Sequence, residues 1–226
     1  MSTNVLPTLI KPPVSAGLTV NNVVYGSPSS GSSVSLSLSG QTSGRLLGVF
    51  VSNEDAFFSP DYTASLTIGG VGATEVTGAR ARASRFFADQ FSHQFFWLVD
   101  ETSVGSTTFT VSMSPDQWQI VCFEIVGANN ASPIGAVQPS TSTASNCEFS
   151  LTTTEANSLA LSGSHGRATP FSVASGLTER VNDNPTSNFF AVGASRACPT
   201  VGGYTMGGTA SGTVTCASSA VEILAA

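Results

Sequence analysis

The chain has 226 residues and a net charge of −6, and only 10% of its residues are charged, against about 25% in an average protein. Lys11 is its only lysine. Nucleic-acid binders and proteins of anionic membrane surfaces need clustered positive charge, so the composition disfavours both kinds of partner. Because 41% of the residues are hydrophobic, the chain is not broadly disordered. A neutral polar surface carries little long-range repulsion and suits dense packing of neighbouring subunits.

Residues 1–26 are predicted to form an extended N-terminal arm. Pro7, Pro12 and Pro13 forbid a regular helix there. Four apolar residues of the segment show no regular spacing: Val5, Leu6, Leu9 and Ile10. Apolar side chains left in water are unfavourable, so we expect this arm to contact its own body or a neighbouring subunit. The segment lacks the basic start and apolar run of a signal peptide, which predicts a product made in a cytoplasm.

From residue 33 onward, alternation with period 2 predicts β-strands. Ser33–Ser39 alternates almost perfectly and predicts a half-buried strand. Arg45–Ser52 is more continuously apolar and predicts a central strand buried on both faces. Ser65–Thr77 predicts two short strands joined by a hairpin turn at Gly69-Gly70.

Further strands follow at intervals of about ten residues, the spacing of a sandwich or barrel. They are expected at 95–99, 107–113, 118–126, 148–154, 158–162, 189–195 and 212–224. The strands 148–154 and 158–162 are expected to pair with each other through a turn at residues 155–157. No segment sustains a helical period. The predicted fold is therefore an all-β, antiparallel β-sandwich, with residues 27–226 as a single domain.

Four cysteines, Cys122, Cys147, Cys198 and Cys216, form no C-x-x-C pair, and neither histidine lies near them in sequence. This spacing argues against a zinc site. In a cytoplasmic product they are expected to be buried free thiols. The alternative is a Cys198–Cys216 disulfide that closes the glycine-rich loop between them.

Candidate catalytic and metal-binding residues are few. His93 and His165 have no neighbouring G-x-S-x-G elbow, and we interpret both as exposed loop residues. The acidic and amide group Asn53-Glu54-Asp55, with Asp61, offers oxygen ligands for Ca²⁺ but lacks the spacing of a calcium loop, so we interpret it as a solvated loop. No catalytic residue, cofactor or metal site is predicted.

Most of a set of ten aromatic residues are expected to fill the core or a subunit interface: Phe57, Phe58, Tyr62, Phe86, Phe87, Phe91, Phe95, Phe96, Trp97 and Trp118. Phenylalanine dominates this set, whereas sugar-stacking platforms are usually tryptophan or tyrosine. Tyr62 and Trp118 are the two rings that flank loops and suit a sugar site.

Arg80, Arg82 and Arg85 place three of the eight basic residues within six positions. A guanidinium group suits bidentate contact with a carboxylate of a partner subunit or of a sugar acid. The equal alternative is a solvated polar edge that discourages pairing between sheet edges.

Several segments together resemble a group of phage and prophage proteins with jelly-roll or lectin-like sandwiches. In those proteins a "T-Y-G-G-V-x-x-T" hairpin, an aromatic "W/Y-x-L-V" strand, a "V-S-F-x-G" strand and a terminal "A-V-E-I" strand occur in this order. The corresponding segments here are Leu46–Val51, Leu66–Val76, Phe95–Val99, Thr108–Ser112, Val121–Gly127 and Ala220–Leu224.

The resemblance covers about four fifths of the chain by order of elements. It implies a jelly-roll-like, non-enzymatic virion protein assembled in the host cytoplasm. A capsid decoration or cement protein is the first expectation, and a tail- or head-fibre adhesin that recognises host glycans is the alternative. The implied partners are the major capsid protein or an appendage protein. Self-association is also expected, with a trimer as one option. The partner-binding residues are taken to be Val5, Leu6, Leu9, Ile10, Arg80, Arg82 and Arg85.

Overall fold

A computed structural model describes residues 17–27, 31–39, 44–55, 65–85, 89–100, 105–112, 117–167, 170–183 and 189–226. Apart from a short 3₁₀ turn at Thr77–Ala79, all regular structure in these ranges is β-strand, and all described strand pairs are antiparallel, which confirms the all-β prediction. Within these ranges no helix has the length and apolar character needed to cross a bilayer. Val5, Leu6, Leu9 and Ile10 lie outside the described residues.

The central sheet follows the order β1-β10-β3-β8-β6, and β7 also pairs with β8. Its strands are β1 (Thr19–Gly26), β3 (Arg45–Asp55), β6 (Thr74–Glu75), β7 (Ala81–Arg85), β8 (Asp89–Asp100) and β10 (Gln117–Val126). Strand β3 lies in the middle, and its apolar residues are buried on both faces, as predicted from their continuous run. Strand β1 lies within the segment predicted as an arm, yet it pairs along its length with β10 and belongs to the sandwich.

The second sheet follows the order β11-β18-β13-β16-β15, and β14 also pairs with β18. Its strands are β11 (Ile134–Asn146), β13 (Ser158–Arg167), β14 (Phe171–Val173), β15 (Thr178–Asp183), β16 (Phe189–Cys198) and β18 (Gly208–Ile223). It packs face to face on the central sheet. Phe50, Phe95 and Phe123 of the central sheet contact Leu161 and Val221 of the second sheet in one buried cluster.

Two smaller layers cover the outer faces of this sandwich. The small sheet, in the order β2-β9-β4-β5, covers the central sheet, and the pair β12-β17 covers the second sheet. Their strands are β2 (Ser33–Leu38), β4 (Leu66–Ile68), β5 (Val71–Gly72), β9 (Gly105–Val111), β12 (Phe149–Thr152) and β17 (Gly203–Met206). The central sheet is therefore buried on both faces. The β-sandwich is confirmed, whereas its jelly-roll connectivity stays a prediction.

The two glycines of the β4–β5 hairpin show why the sequence predicted that turn. Gly69 and Gly70 both have positive φ, 59° and 84°. This is the two-residue turn whose twist matches that of paired strands, and glycine adopts it without strain.

The expected pairing of 148–154 with 158–162 is wrong. Strand β12 pairs with β17, whereas β13 pairs with β16 and β18. The turn at residues 155–157 is held instead by the buried carboxylate of Glu222, which accepts hydrogen bonds from the N–H groups of Ala136, Thr154 and Glu155 at 2.8, 2.9 and 3.0 Å. Burial alone would raise the pKa of Glu222, but these donors hold it below the usual value.

Candidate interaction surface

One lateral side of the sandwich presents two strand edges next to each other. Strand β7 borders the central sheet and is hydrogen-bonded only to β8, and β11 borders the second sheet and is hydrogen-bonded only to β18; neither has another pairing partner among the described residues. An edge strand presents N–H and C=O groups that have no partner in the sheet. The edge of β11 is 13 residues long, so this side offers an unusually long row of such groups.

A polar groove of about 220 Å³ lies between these two edges. It is lined by Arg82, Ala83 and Ser84 of β7 and by Thr141, Ser142 and Thr143 of β11. Among the residues that the structure describes, hydroxyl groups and the Arg82 guanidinium dominate this lining, and no aromatic ring contributes to it. The groove therefore suits hydrogen bonding and contact with a carboxylate better than stacking on a sugar ring.

The sequence did not predict β11 as a strand. Its stretch from Ser140 to Asn146 is made of serine, threonine, alanine and asparagine, which resembles a loop in composition. Pro139 also argues against a central strand, but it is tolerated at an edge, where it lies opposite Ser219 of β18. The signal that was available is the β-branched pair Thr141 and Thr143 at alternate positions.

The three predicted arginines are placed differently. Arg80 directly precedes β7, and its guanidinium binds both carboxylate oxygens of Glu75, at 2.5 and 2.6 Å. Burial alone would raise the pKa of Glu75, but the hydrogen bonds from Arg80 and Gln94 hold it below the usual value. Arg82 lines the groove. Arg85 ends β7, and its side chain lies outside the described part of the structure.

Both histidines are buried, so their interpretation as exposed loop residues is wrong. His93 lies on β8 and His165 on β13, and their side chains point into the space between the two sheets, with 1% and 2% exposure. Nδ1 of His165 lies 2.9 Å from Oε1 of Gln119 and 3.0 Å from the Phe190 carbonyl oxygen, two acceptors that require a proton on that nitrogen. Sequence reasoning missed this position because the neighbours of His165 in residues 162–166 are serine and glycine, which are typical of a loop.

His93 forms a Ser–His pair that must be weighed as a catalytic dyad. Its Nδ1 lies 2.7 Å from Oγ of Ser52, a distance at which a general base activates a nucleophile. Both residues are buried, however, and substrate has no access to them. Burial, with the neighbouring His165, lowers the pKa of His93 to about 3, which makes it a weak base at neutral pH. This pair therefore does not fit nucleophilic catalysis and serves the packing between the sheets.

The acidic and amide group at the end of β3 is also not a solvated loop. Asn53 and Glu54 are buried in the strand, and Asn53 accepts a hydrogen bond from the Ser92 hydroxyl. Asp61 lies outside the described residues.

The aromatic prediction is confirmed for the described rings. Trp118 is buried, and its indole N–H donates to the Gly31 carbonyl oxygen at 2.9 Å, so it is not available to a sugar. Tyr62 lies outside the described residues.

All four cysteines are buried free thiols, as expected. They lie in three separate clusters: Cys122 under the small sheet, Cys198 under the β12-β17 pair, and Cys147 together with Cys216 beside Phe171 and Phe190. The alternative Cys198–Cys216 disulfide is therefore not the pairing that the fold favours.

Comparison of the chain with protein-family models, with curated proteins and with solved structures found no significant match. The geometry of the β7–β11 side therefore carries the functional argument.

Proposed function

We propose that this chain is a non-enzymatic structural protein of a phage virion, most simply a capsid decoration or cement protein. It binds the particle and neighbouring subunits through the lateral side formed by β7 and β11. The observation that carries this proposal is the pair of adjacent strand edges with the polar groove and Arg82 between them.

A strand edge binds an extended partner segment by continuing its sheet. Main-chain hydrogen bonds then supply affinity, and the side chains beside the edge select the partner. Here Arg82 would select a segment with a carboxylate, since its charge lies among hydroxyl groups. The low overall charge supports close approach of many copies, because few like charges repel one another at short range.

Self-association belongs to the same proposal. Segment 1–16 precedes the described residues and carries the apolar Val5, Leu6, Leu9 and Ile10. We propose that this segment binds a neighbouring subunit and so links copies into a closed homo-oligomer, of which a trimer is one form. The partners on the particle would be the major capsid protein or an appendage protein.

The central test is binding of the purified chain to particles, lacking this chain, of the phage or prophage that encodes it. Arg82→Glu reverses the charge in the groove and is expected to weaken binding at least about tenfold, or ~1.4 kcal/mol. Arg180→Glu makes the same charge change on β15, the opposite edge of the second sheet, and serves as the matched control. The control is expected to bind as the unaltered chain does.

Two results would contradict this proposal. One is equal binding by the Arg82→Glu and Arg180→Glu variants, which would remove the β7–β11 side from the interface. The other is specific binding to a glycan array with no binding to particles, which would make the chain an adhesin instead. Saturation of the particles at hundreds of copies supports decoration, whereas a handful of copies indicates a fibre.

The arm is tested separately by deleting residues 2–13. The deletion is expected to abolish oligomer formation or particle binding while the sandwich stays folded, as followed by sedimentation velocity and circular dichroism. A truncated protein that still forms the oligomer and saturates particles would show that the arm plays no part.

A further inference from the structure

Two cysteines that are far apart in sequence meet in one buried cluster of the second sheet. Cys147 follows the end of β11, and its N–H donates to the Gly208 carbonyl oxygen at 2.9 Å. Cys216 lies on β18, where it is paired with Ser142 of β11 and Gly166 of β13. Both are buried in the cluster that also contains Phe171 and Phe190.

The two thiols lie in the same small buried cluster, close enough for each to shift the pKa of the other. The thiol of Cys216 lowers the pKa of Cys147 below its usual value, and the Ser142 hydroxyl adds to this effect against the opposing effect of burial. The interaction with Cys147 raises the pKa of Cys216, and burial adds to this effect. Cys147 is therefore the first of the pair to become a thiolate.

We propose that Cys147 and Cys216 are a redox site that closes to a disulfide when the folded protein meets a small disulfide oxidant. A disulfide demands close β-carbons, and the fold brings this pair together in two ways: both thiols lie in one buried cluster, and Cys216 is paired with Ser142 on the strand that leads to Cys147.

The chemistry is two successive thiol–disulfide exchanges. The Cys147 thiolate attacks one sulfur of the small disulfide, breaks its S–S bond and releases one small thiolate. The Cys216 sulfur, on losing its proton, then attacks the Cys147 sulfur of the mixed disulfide and releases the second small thiolate. The two cysteines are oxidised, one small disulfide is reduced to two thiols, and the two protons end on those thiols.

The oxidant has a route to this buried pair at the end of β11. Residues 143–146 are exposed, and the pairing of β11 with β18 shifts register between Ala144 and Asn146. A strand end that is exposed and irregularly paired opens more easily than the middle of a sheet. Opening this end uncovers Cys147, which is the thiolate that attacks first.

The other cysteines do not compete for this bond. The Cys198 thiol donates to the Arg196 carbonyl oxygen at 3.6 Å and lies in the cluster beneath β12 and β17. Burial raises its pKa. Cys122 lies on the other side of the central sheet, in the cluster with the small sheet. Burial next to Glu124 likewise raises its pKa.

The bond would fix the end of β11 to β18 directly beside the groove, because Ser142 both lines the groove and is paired with Cys216. Oxidation is therefore expected to stabilise the long edge of the second sheet. This inference does not depend on the proposed function, since it concerns only contacts within the chain.

The experiment exposes the folded full-length chain to oxidised glutathione, blocks the remaining thiols and maps the peptides by mass spectrometry without reduction. One cross-linked product joining residues 147 and 216 is expected, with a mass about 2 Da below the sum of the two thiol peptides. The melting temperature is expected to rise by about 5 to 10 °C, and dithiothreitol should reverse both changes. Cys198→Ser and Cys122→Ser are expected to form the same product, and Cys147→Ser to lose it.

Three results would overturn the proposal: thiols that stay unmodified until the chain is denatured, a cross-link to Cys198, or glutathione mixed disulfides that never resolve. A bond that forms but lowers the melting temperature would overturn the stabilising role. The peptide map of the unsubstituted chain decides the linkage even where a serine variant fails to fold.

Discussion

The central sheet carries a buried polar cluster on each face. The side chains of one cluster stay charged, whereas those of the other are neutral. On the side of the small sheet, Arg45 contacts Asp100 at 2.7 Å and Glu124 at 2.6 Å, and all three side chains are buried. On the side of the second sheet, the cluster contains His93 and His165, which are neutral because burial lowers their pKa values to about 3 and 4.

The difference follows from what each face supplies. The Arg45 guanidinium also donates to the backbone carbonyl of Ser39, and the side-chain amide of Asn22 donates to the Glu124 carboxylate. The buried charges therefore have several hydrogen-bond partners. Between the large sheets, His93 stacks on Phe50 with ring centroids 5.0 Å apart. Burial and the neighbouring His165 lower its pKa, and no carboxylate of the described residues opposes them. A buried group stays ionised only where other charges and hydrogen bonds replace the water around it. Without such partners, its neutral form is favoured.

The largest expected effect comes from breaking the charged cluster. Arg45→Met removes the cation and leaves Asp100 and Glu124 buried without it, so the free energy of unfolding is expected to fall by about 3 to 5 kcal/mol. Arg196→Met is the control, because Arg196 packs over the Tyr204 ring at the surface and its loss should cost less than about 1 kcal/mol. Chemical denaturation measures both. Equal losses in the two variants would contradict the role given to the cluster.

The second largest effect is expected at acid pH, where protonation of the histidine pair lowers the stability of the fold. Both folded pKa values lie below the value of about 6.5 in the unfolded chain, so the unfolded state binds more protons as the pH falls through 6.5. Stability should therefore be full above pH 7.5 and fall by about 3 kcal/mol by pH 5.5, with roughly half from each histidine.

Denaturation midpoints at pH 7.5, 6.5 and 5.5 test this expectation. His165→Gln keeps an amide that can donate to the Phe190 carbonyl and removes one titrating group, so its pH dependence should be about half that of the unaltered chain. A flat profile over this range would show that the histidines are not held neutral by burial.

The smallest of these effects is steric. Gly163 of β13 faces the histidine cluster, and a methyl group there would lie 2.6 Å from Nε2 of His93 and 2.7 Å from Cγ of Phe50. Gly163→Ala is expected to destabilise the protein by about 1 to 3 kcal/mol, because a packed core has no room to yield. Gly202→Ala, with no atom within 4 Å of the added methyl group, is the control and should be nearly neutral. Comparable thermal unfolding of the two variants would refute close packing around His93.

The interaction surface could be predicted only in part. The sequence showed Arg80, Arg82 and Arg85 as a local concentration of positive charge. It did not show that Arg80 forms an ion pair with Glu75 of the same chain. The partner strand β11 was missed, because its serines and threonines gave no apolar alternation and its place at an edge depends on the order of strands in the sheet.

The sequence by itself determined the all-β fold and many of its strands. Period-2 alternation at Ser33–Ser39 and the glycine pair at Gly69-Gly70 act through neighbouring residues, so local patterns suffice to read them. Only the tertiary structure decided which strands pair, which cysteines meet and where the histidines lie. The antiparallel pairing of β11 with β18 brings Cys147 and Cys216 together, and the packing of the two large sheets brings His93 and His165 together. Such contacts connect residues distant in sequence, and their energies depend on burial that no local pattern records.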